Sequence, residues 1–287
     1  IRATPLAGSG FQKTGGIIGE TFRGNTVLRH VEATTTIDVS STGRPTSQKN
    51  MGGLIGYFGS GTTESLTVDQ SFATGAIVTD SEGSEANGGL IGEVWGAVTI
   101  LNSGARVDVT RGGGLIGATN RTITMTNAYA AGASTGGLIA IGNDQSISAE
   151  DTFWDTTIGA SGTASNLGKG RATSAMQDVT TFTTAGWSIT FCNDDGCTGD
   201  EGDPIWAIRA DEYPFLCSLA EAGACSAGSP GGGGEGPAIA YVTPVPGDAR
   251  AWIVFEAPAT AITVEMELQR SDATDQPVTT QHPASEA

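Results

Sequence analysis

Positive charge is scarce in this sequence. Lys and Arg number 14 against 31 Asp and Glu in 287 residues, which gives a net charge of −17. A chain this acidic is repelled by the phosphate backbone, so nucleic-acid binding is close to excluded. Binding to anionic membrane surfaces is disfavoured for the same reason. No apolar run approaches the roughly 18 residues of a membrane-spanning helix, so we expect no membrane insertion.

Cysteine is also infrequent, with four residues. Cys192 and Cys197 flank a turn sequence, which suits a local hairpin disulfide, and Cys217 and Cys225 form a second close pair. The even count favours disulfides and an oxidising, extracellular compartment, with three pairings open. A zinc site is disfavoured because no CxxC spacing occurs and both histidines are remote in sequence.

Glycine is abundant, with 43 residues, and it marks an internal repeat. The motif Gly-Gly-(Leu/Ile)-Ile-Gly occurs five times, the last copy ending in Ala. The copies are Gly15–Gly19, Gly52–Gly56, Gly88–Gly92, Gly113–Gly117 and Gly136–Ala140. Their second glycines are Gly16, Gly53, Gly89, Gly114 and Gly137, at spacings of 37, 36, 25 and 23 residues. A weaker motif lies between the copies, at residues 68–75, 100–105 and 125–132, with a degraded copy near 27–34.

Two short apolar strands in a unit of about 23 residues predict one coil of a β-solenoid. The longer units are interpreted as the same coil with polar inserts, at Ser40–Asn50 and Thr79–Asn87. A helical repeat is excluded because Gly, Thr and β-branched residues dominate and no segment has a 3.6-residue period. The sequence therefore predicts an all-β chain of stacked coils.

Stacking at about 4.8 Å would place the motif residues above one another in ladders. One ladder holds Ile18, Ile55, Ile91, Ile116 and Ile139, and the other holds Ile17, Leu54, Leu90, Leu115 and Leu138. Because strand side chains alternate, we expect one ladder in the core and the other facing outward. The outward ladder is either covered by other chain segments or exposed as an apolar interaction stripe.

The repeated Gly-Leu-Ile-Gly resembles the GLUG motif of large bacterial secreted and surface proteins, including filamentous-haemagglutinin-like adhesins. The sequence after the repeats is similar to the segment that often ends such arrays: Thr152–Asp155, Ala175–Gln177, Gly186–Trp187, Ile205–Ile208 and Tyr213–Leu216. The resemblance covers about residues 11–217. It implies a right-handed parallel β-helix in an exported protein and transfers no catalytic residue. The segment between Cys192 and Cys197 departs from the pattern.

Residues 151–216 are rich in aromatic side chains. We expect them to form a cap that plugs the open end of the stack, within a β-helix domain of residues 1–225. The alternative is an aromatic platform that binds sugar. An acidic loop around Asn193–Gly196, with Asp200, Glu201 and Asp203, is a candidate Ca²⁺ site, although its spacing is not that of a calcium loop. No other cofactor is expected.

Residues 226–237 have the composition of a flexible Gly/Pro linker. Beyond it, alternation predicts strands at Ala238–Thr243, Ala249–Glu256 and Ile262–Leu268, and residues 238–287 resemble the opening of a fibronectin type III-like sandwich. That fold needs about seven strands, so further sequence or another molecule must complete it, with Ile1–Phe11 as a candidate donor. Since the chain opens at Ile1 without a signal peptide, we expect a processed piece of a longer product.

A polysaccharide-acting β-helix enzyme would need paired carboxylates on one face. Asp38 and Asp108 occupy similar places two coils apart, as do Glu20 and Glu93, without a recurring Arg or Lys beside them. A solvated acidic face explains these residues equally well, so no residue is assigned a catalytic role.

Two further classes of protein, enzymes with a nucleophilic triad and ice-binding proteins, are disfavoured by the number of histidines and of threonine runs. His30 and His282 are the only histidines, too few for a convincing nucleophilic triad. Thr122, Thr124 and Thr126 form one Thr-x-Thr-x-Thr run, but an ice-binding surface needs such a run on every coil.

The sequence therefore predicts a non-catalytic, extracellular structural or adhesive module of a bacterial surface protein, a rigid spacer or display element. The alternative is a subunit of a self-assembling filament completed by strand exchange. Expected partners are other protein chains, including copies of itself, with a cell-surface or carbohydrate ligand as a further candidate.

Overall fold

The computed structural model describes residues 12–21, 24–38, 49–59, 63–79, 85–142, 146–159, 167–193, 196–198, 203–220, 224–225, 238–244 and 251–256. The linker at 226–237, the predicted strand Ile262–Leu268 and the segment Ile1–Phe11 lie outside the described residues. The all-β prediction is confirmed, because strands dominate and the two helices are one turn long, α1 (Thr173–Met176) and α2 (Val179–Thr183).

The described residues of the repeat region form nineteen strands, in chain order β1 Gln12–Gly15, β2 Ile18–Thr21, β3 Asn25–Arg29, β4 Glu32–Asp38, β5 Lys49–Gly52, β6 Ile55–Phe58, β7 Ser65–Asp69, β8 Phe72–Val78, β9 Glu85–Gly88, β10 Ile91–Val94, β11 Ala97–Leu101, β12 Gly104–Val109, β13 Ile116–Thr119, β14 Ile123–Thr126, β15 Tyr129–Ala130, β16 Ile139–Ile141, β17 Ile147–Glu150, β18 Phe153–Asp155 and β19 Lys169–Arg171. Six more strands follow: β20 Ile189–Asn193, β21 Gly196–Thr198, β22 Trp206–Arg209, β23 Phe215–Leu216, β24 Ala238–Pro244 and β25 Ala251–Glu256.

Strands from successive repeats pair in parallel and build four sheets. Sheet 1 has the order β1-β5-β9, sheet 2 β16-β13-β10-β6-β2, sheet 3 β17-β14-β11-β7-β3, and sheet 4 β19-β18-β15-β12-β8-β4. Each repeat thus gives one strand to sheets 2, 3 and 4, and the first three repeats also give one to sheet 1. The ends of both expected inserts are therefore ordered strand rather than loop, since β5 begins at Lys49 and β9 at Glu85.

The five isoleucines of the glycine motif form one continuous row in sheet 2. Ile18 pairs with Ile55, Ile55 with Ile91, Ile91 with Ile116, and Ile116 with Ile139. The expectation that the second ladder faces outward is wrong, because Leu54, Leu90, Leu115 and Leu138 are fully buried in the same aliphatic core as the isoleucines.

The backbone at the motif explains why both ladders are buried. Both Leu54 N–H and Ile55 N–H donate to the single carbonyl of Leu90. The chain therefore bends between sheet 1 and sheet 2 at the glycines, and strand alternation does not run through the motif. No exposed apolar stripe results within these copies. We call each bend with its two flanking strands a glycine arch.

A second repeated corner joins sheet 3 to sheet 4. The residue after each sheet 3 strand has a positive φ of 43° to 54°: His30, Gln70, Asn102, Asn127 and Asp151. A buried hydroxyl follows in three of these five corners, at Ser71, Ser103 and Thr152. Ser103 Oγ accepts from Ser71 N–H and donates to Leu101 O. These residues show that the array continues past the last glycine motif, to β17 and β18.

The aromatic segment does not plug the end of the stack, so that expectation is wrong. It packs instead on the outer face of sheet 4, which carries Phe72, Tyr129 and Phe153. The residues that follow these three in the strands are Ala73, Ala130 and Trp154, and they pack on the aliphatic core. We call α1, α2 and β20–β23 the flap. Its buried side chains Met176, Phe182, Trp187, Trp206, Ile208 and Leu216 form an aromatic core with those three rings. The flap packs on the side of the stack rather than on its end because the bulky residues of sheet 4 point outward and contact it there.

Two local disulfides lie in the flap region. Cys192–Cys197 joins directly opposed residues of β20 and β21, and Cys217–Cys225 is the second. Beyond the linker, β24 and β25 form an antiparallel hairpin, so two of the three strands predicted there are present, and the described part of the second begins at Ala251.

Candidate functional site

A cluster of polar side chains lies at the glycine arches of the first three repeats. We call it the arch cluster: Lys13, Glu20, Asn50, Tyr57, Glu93 and Trp95. Lys13 and Asn50 pair in sheet 1, three residues before the second glycine of their motifs. Glu20, Tyr57 and Glu93 form one row in sheet 2, four residues after it. Because each arch folds sheet 1 against sheet 2, the two sets of side chains face one another.

Glu93 is the centre of the cluster. It is 9% exposed, and its carboxylate accepts from Asn50 Nδ2 at 2.6 Å and from Trp95 Nε1 at 2.8 Å. Asn50 is 1% exposed. Its Oδ1 is buried and accepts no hydrogen bond within the described part of the chain.

Lys13 joins the first repeat to this centre. Its ammonium contacts the Glu20 carboxylate and lies 3.9 Å from the centroid of the Tyr57 ring. Burial lowers the pKa of Lys13, while the negative charge of Glu93 acts in the opposite direction. Burial raises the pKa of Tyr57, and the charge of Glu93 raises it further. The tyrosine hydroxyl therefore stays protonated at neutral pH.

The arch cluster contains one ammonium, that of Lys13, and two carboxylates, those of Glu20 and Glu93. Glu20 and Glu93 are separated by the Tyr57 strand, a spacing of about 10 Å at two strand separations. That distance is at the upper end of the range for an inverting carboxylate pair, and the Lys13 ammonium contacts one of the two carboxylates. What the arrangement offers chemically is one partly desolvated amine beside a buried amide and a carboxylate.

The second predicted carboxylate pair is not aligned, so that expectation is wrong. Asp108 pairs with Ala76, which pairs with Thr36, whereas Asp38 pairs with Val78. The two aspartates are thus offset by two residues along sheet 4. Asp108 Oδ1 accepts from the Ala133 backbone N–H at 2.8 Å, which is a local structural role.

Of the three threonines in the run Thr122, Thr124 and Thr126, only the middle one is aligned with threonines of neighbouring strands. Thr124 pairs with Thr99, and Thr99 with Thr67, whereas Thr126 pairs with Leu101. A single row of threonines does not make the double row that an ice-binding face requires.

Half of the eight aromatic side chains proposed for a sugar platform are buried. Trp206 and Phe182 are 0% exposed, and Trp187 is 4% exposed. A buried ring cannot stack on a sugar, so the platform alternative is wrong for these three residues. The Trp187 indole N–H instead donates to the Asp151 carbonyl at 2.9 Å, which ties the flap to the corner between sheet 3 and sheet 4.

Most of the acidic loop proposed to bind Ca²⁺ lies outside the described residues, as does His282. Among the residues that are described, no group of three or more His, Cys, Asp or Glu side chains is arranged to hold a metal ion. No helix of the described part is long and apolar enough to cross a membrane.

Sequence reasoning found Glu20 and Glu93 in one row but missed their partners. Lys13 and Asn50 have equal offsets from their glycine motifs, and this was the signal that could have joined them to the cluster. The node at Asp155 was also missed. Its carboxylate accepts from Tyr213 Oη at 2.6 Å and from Thr173 Oγ1 at 2.7 Å. Contacts 58 residues apart leave no local sequence pattern.

No protein-family model, curated protein or solved structure matches this chain.

Proposed function

We propose that this chain is a non-catalytic module of a bacterial surface protein related to GLUG-motif, filamentous-haemagglutinin-like adhesins. Residues 12–171 would form a right-handed parallel β-helix that acts as a rigid spacer or display element. The observation that carries the proposal is the unbroken row of motif isoleucines, which run in register through all five repeats.

An extracellular setting is supported by the two disulfides, because such bonds persist in oxidising compartments. The net charge of −17 supports solubility and disfavours adhesion to anionic polymers. A non-catalytic role is supported by the engagement of Glu20 and Glu93 in the arch cluster and by the offset of Asp38 from Asp108.

A spacer should not polymerise through its sheet edges. Sheet 4 ends at β19, a strand of three residues, Lys169-Gly170-Arg171. Short edge strands with positive charges are a common device against edge-to-edge pairing. In addition, β19 extends sheet 4 beyond β16 and β17, so another copy could not stack evenly on all three sheets.

One observation favours the filament alternative. Strands β24 and β25 pair only with each other among the described residues, and an isolated hairpin is marginally stable. Strands from a neighbouring molecule could complete this segment.

Light scattering across a concentration series separates the two functions. A spacer keeps the molar mass of one chain at every concentration, whereas a filament subunit gains mass as concentration rises. If it does, deleting residues 238–287 should abolish the gain while the repeat region stays folded. Incubation with a polysaccharide panel tests the third alternative: cleavage by the chain that is lost in Glu93→Gln would overturn the non-catalytic proposal.

A further inference from the structure

Lys13, Asn50 and Glu93 bring an amine, an amide and a carboxylate together across three repeats. Lys13 and Asn50 are direct partners in the parallel strands β1 and β5, so their side chains leave the same face of sheet 1 about 4.8 Å apart. The Asn50 side-chain amide donates a hydrogen bond to the Glu93 carboxylate at 2.6 Å. Asn50 is only 1% exposed, so this hydrogen bond is buried.

Burial favours the reactive form of Lys13, whereas its contact with the Glu20 carboxylate favours the charged form. Its side chain is 18% exposed and lies over the Tyr57 ring, with Glu20 in contact. Burial lowers the pKa of Lys13 despite the nearby charge of Glu93. A larger fraction of the side chain is then the neutral amine, which is the nucleophilic form of lysine.

We propose that Lys13 and Asn50 form a covalent amide cross-link between β1 and β5. The lone pair of Lys13 Nζ attacks Asn50 Cγ, and a new C–N bond forms. Glu93, hydrogen-bonded to the same amide, takes the proton from Nζ and delivers it to Nδ2. The Cγ–Nδ2 bond then breaks and one ammonia molecule leaves. The overall change converts one amine and one amide into one amide and ammonia, so it needs no oxidant, metal or cofactor.

The arch geometry makes this reaction specific to the first two repeats. Lys13 can approach Asn50 by rotating about its own side-chain bonds, because the two residues are neighbours in the sheet. The equivalent position of the third repeat is Ala86, which carries no amide. The bond would fasten the edge strand of sheet 1 to the strand beside it. This inference does not depend on the proposed spacer function.

The mass of the full chain tests the proposal without any variant. After reduction of both disulfides, we expect an intact mass lower than the sequence mass by one ammonia. Proteolysis should yield a branched peptide that joins Lys13 to Asn50. The full sequence mass would overturn the proposal, as would loss of one water mapped to Lys13 and Glu20. An ammonia loss confined to a succinimide at Asn87–Gly88, without a branched peptide, would contradict it equally.

Variants test the assigned roles. Lys13→Arg keeps the positive charge beside Glu20 but should restore the full mass, and Glu93→Gln should do the same because the proton relay is lost. Lys169→Arg is the matched control, since Lys169 pairs with Asp151 at 3.1 Å outside the arch cluster and its substitution should retain the ammonia deficit. Circular dichroism establishes that each variant is folded. A folded Glu93→Gln that still cross-links fully would contradict the role of Glu93.

Discussion

The aliphatic core of the stacked sheets and the aromatic core beneath the flap are held together differently. The first is built from rows of like residues that backbone hydrogen bonds keep in register, as with Ile55, Ile91 and Ile116. The second joins residues from unrelated sequence positions, such as Tyr129 and Trp206, whose ring centroids are 5.6 Å apart. Repetition therefore fixes one core through the backbone, whereas the other core depends on individual large side chains.

The largest expected effect comes from the glycine arch. A Cβ on Gly53 would lie 2.1 Å from the Gly89 carbonyl oxygen and 2.6 Å from the Ala73 Cβ, and neither atom can move freely. Gly53→Val should lower the free energy of unfolding by about 5 kcal/mol or more, measured by urea denaturation.

The matched control for that change is Gly24→Ala. Gly24 has a φ of +85° but open space around it, so the substitution should cost only about 1–2 kcal/mol of backbone strain. Equal losses in the two variants would show that the arch is not tightly packed.

The next largest effect should be confined to the flap. Trp206 is 0% exposed and contacts Phe72, Tyr129 and Trp187. Trp206→Ala should cost about 4 kcal/mol by removing this contact area. Hydrogen exchange should accelerate in β20–β23 while sheets 2 and 3 stay protected. Exchange that accelerates equally in all sheets would mean that the two cores unfold as one unit. Ile141→Ala is the control, because this side chain is 62% exposed.

A smaller, pH-dependent effect should come from Asp155, which links sheet 4 to the flap. Burial raises its pKa, but hydrogen bonds from Tyr213, Thr173 and two backbone N–H groups outweigh burial and hold the pKa below its usual value. The stabilisation is therefore present above the unfolded-state pKa of about 3.9 and is lost as the pH falls through the folded-state pKa.

Tyr213→Phe removes one of those hydrogen bonds and should cost about 2 kcal/mol at neutral pH. Urea denaturation across the pH range should show the difference from the unmodified chain shrinking in acid. A difference that stays constant through acid pH would contradict the assignment to the Asp155 carboxylate.

The smallest effect is expected at the repeated corner. Ser103→Ala removes the acceptor for Ser71 N–H and should cost about 1 kcal/mol. Ala128 already occupies the equivalent place in the next repeat, where the corner forms without a hydroxyl. Thr124→Ala, on the outer face of sheet 3, should change stability by less than about 0.5 kcal/mol. If Ser103→Ala lowered the free energy of unfolding as much as Gly53→Val, the corner would be stabilised mainly by side chains rather than by the backbone.

Sequence patterns could predict the stacked region because its information is local and recurs. The Gly-Gly-Leu-Ile-Gly copies predicted the register of sheet 2. The cysteine spacing suited the two local disulfides but left three pairings open. The burial of Leu54 beside Ile55 was not predictable from alternation, since the bend at Gly52 and Gly53 interrupts it. The sequence also could not predict on which side of the stack Trp206 packs, because this depends on contacts with Phe72 and Tyr129, which are far away in sequence.

Only part of the arch cluster could be predicted, because only some of its residues follow the repeat. Glu20 and Glu93 fall at equal offsets from their motifs, so their row followed from the repeat. Lys13, Asn50 and Trp95 differ in type from the residues at equivalent positions in other repeats. Their convergence depends on how the arch folds sheet 1 against sheet 2, which no single repeat encodes.

The register of the stacked repeats is most directly tested by paired cysteine substitutions in sheet 3. Thr67 and Thr99 are partners in adjacent strands, and the native cysteines that the structure describes are all in disulfides. Thr67→Cys combined with Thr99→Cys should form a new disulfide on oxidation, found as a linked peptide by mass spectrometry. Thr67→Cys combined with Thr124→Cys should not, because Thr124 lies one strand further away, beyond disulfide reach. Efficient linkage of the second pair but not the first would contradict the in-register stack.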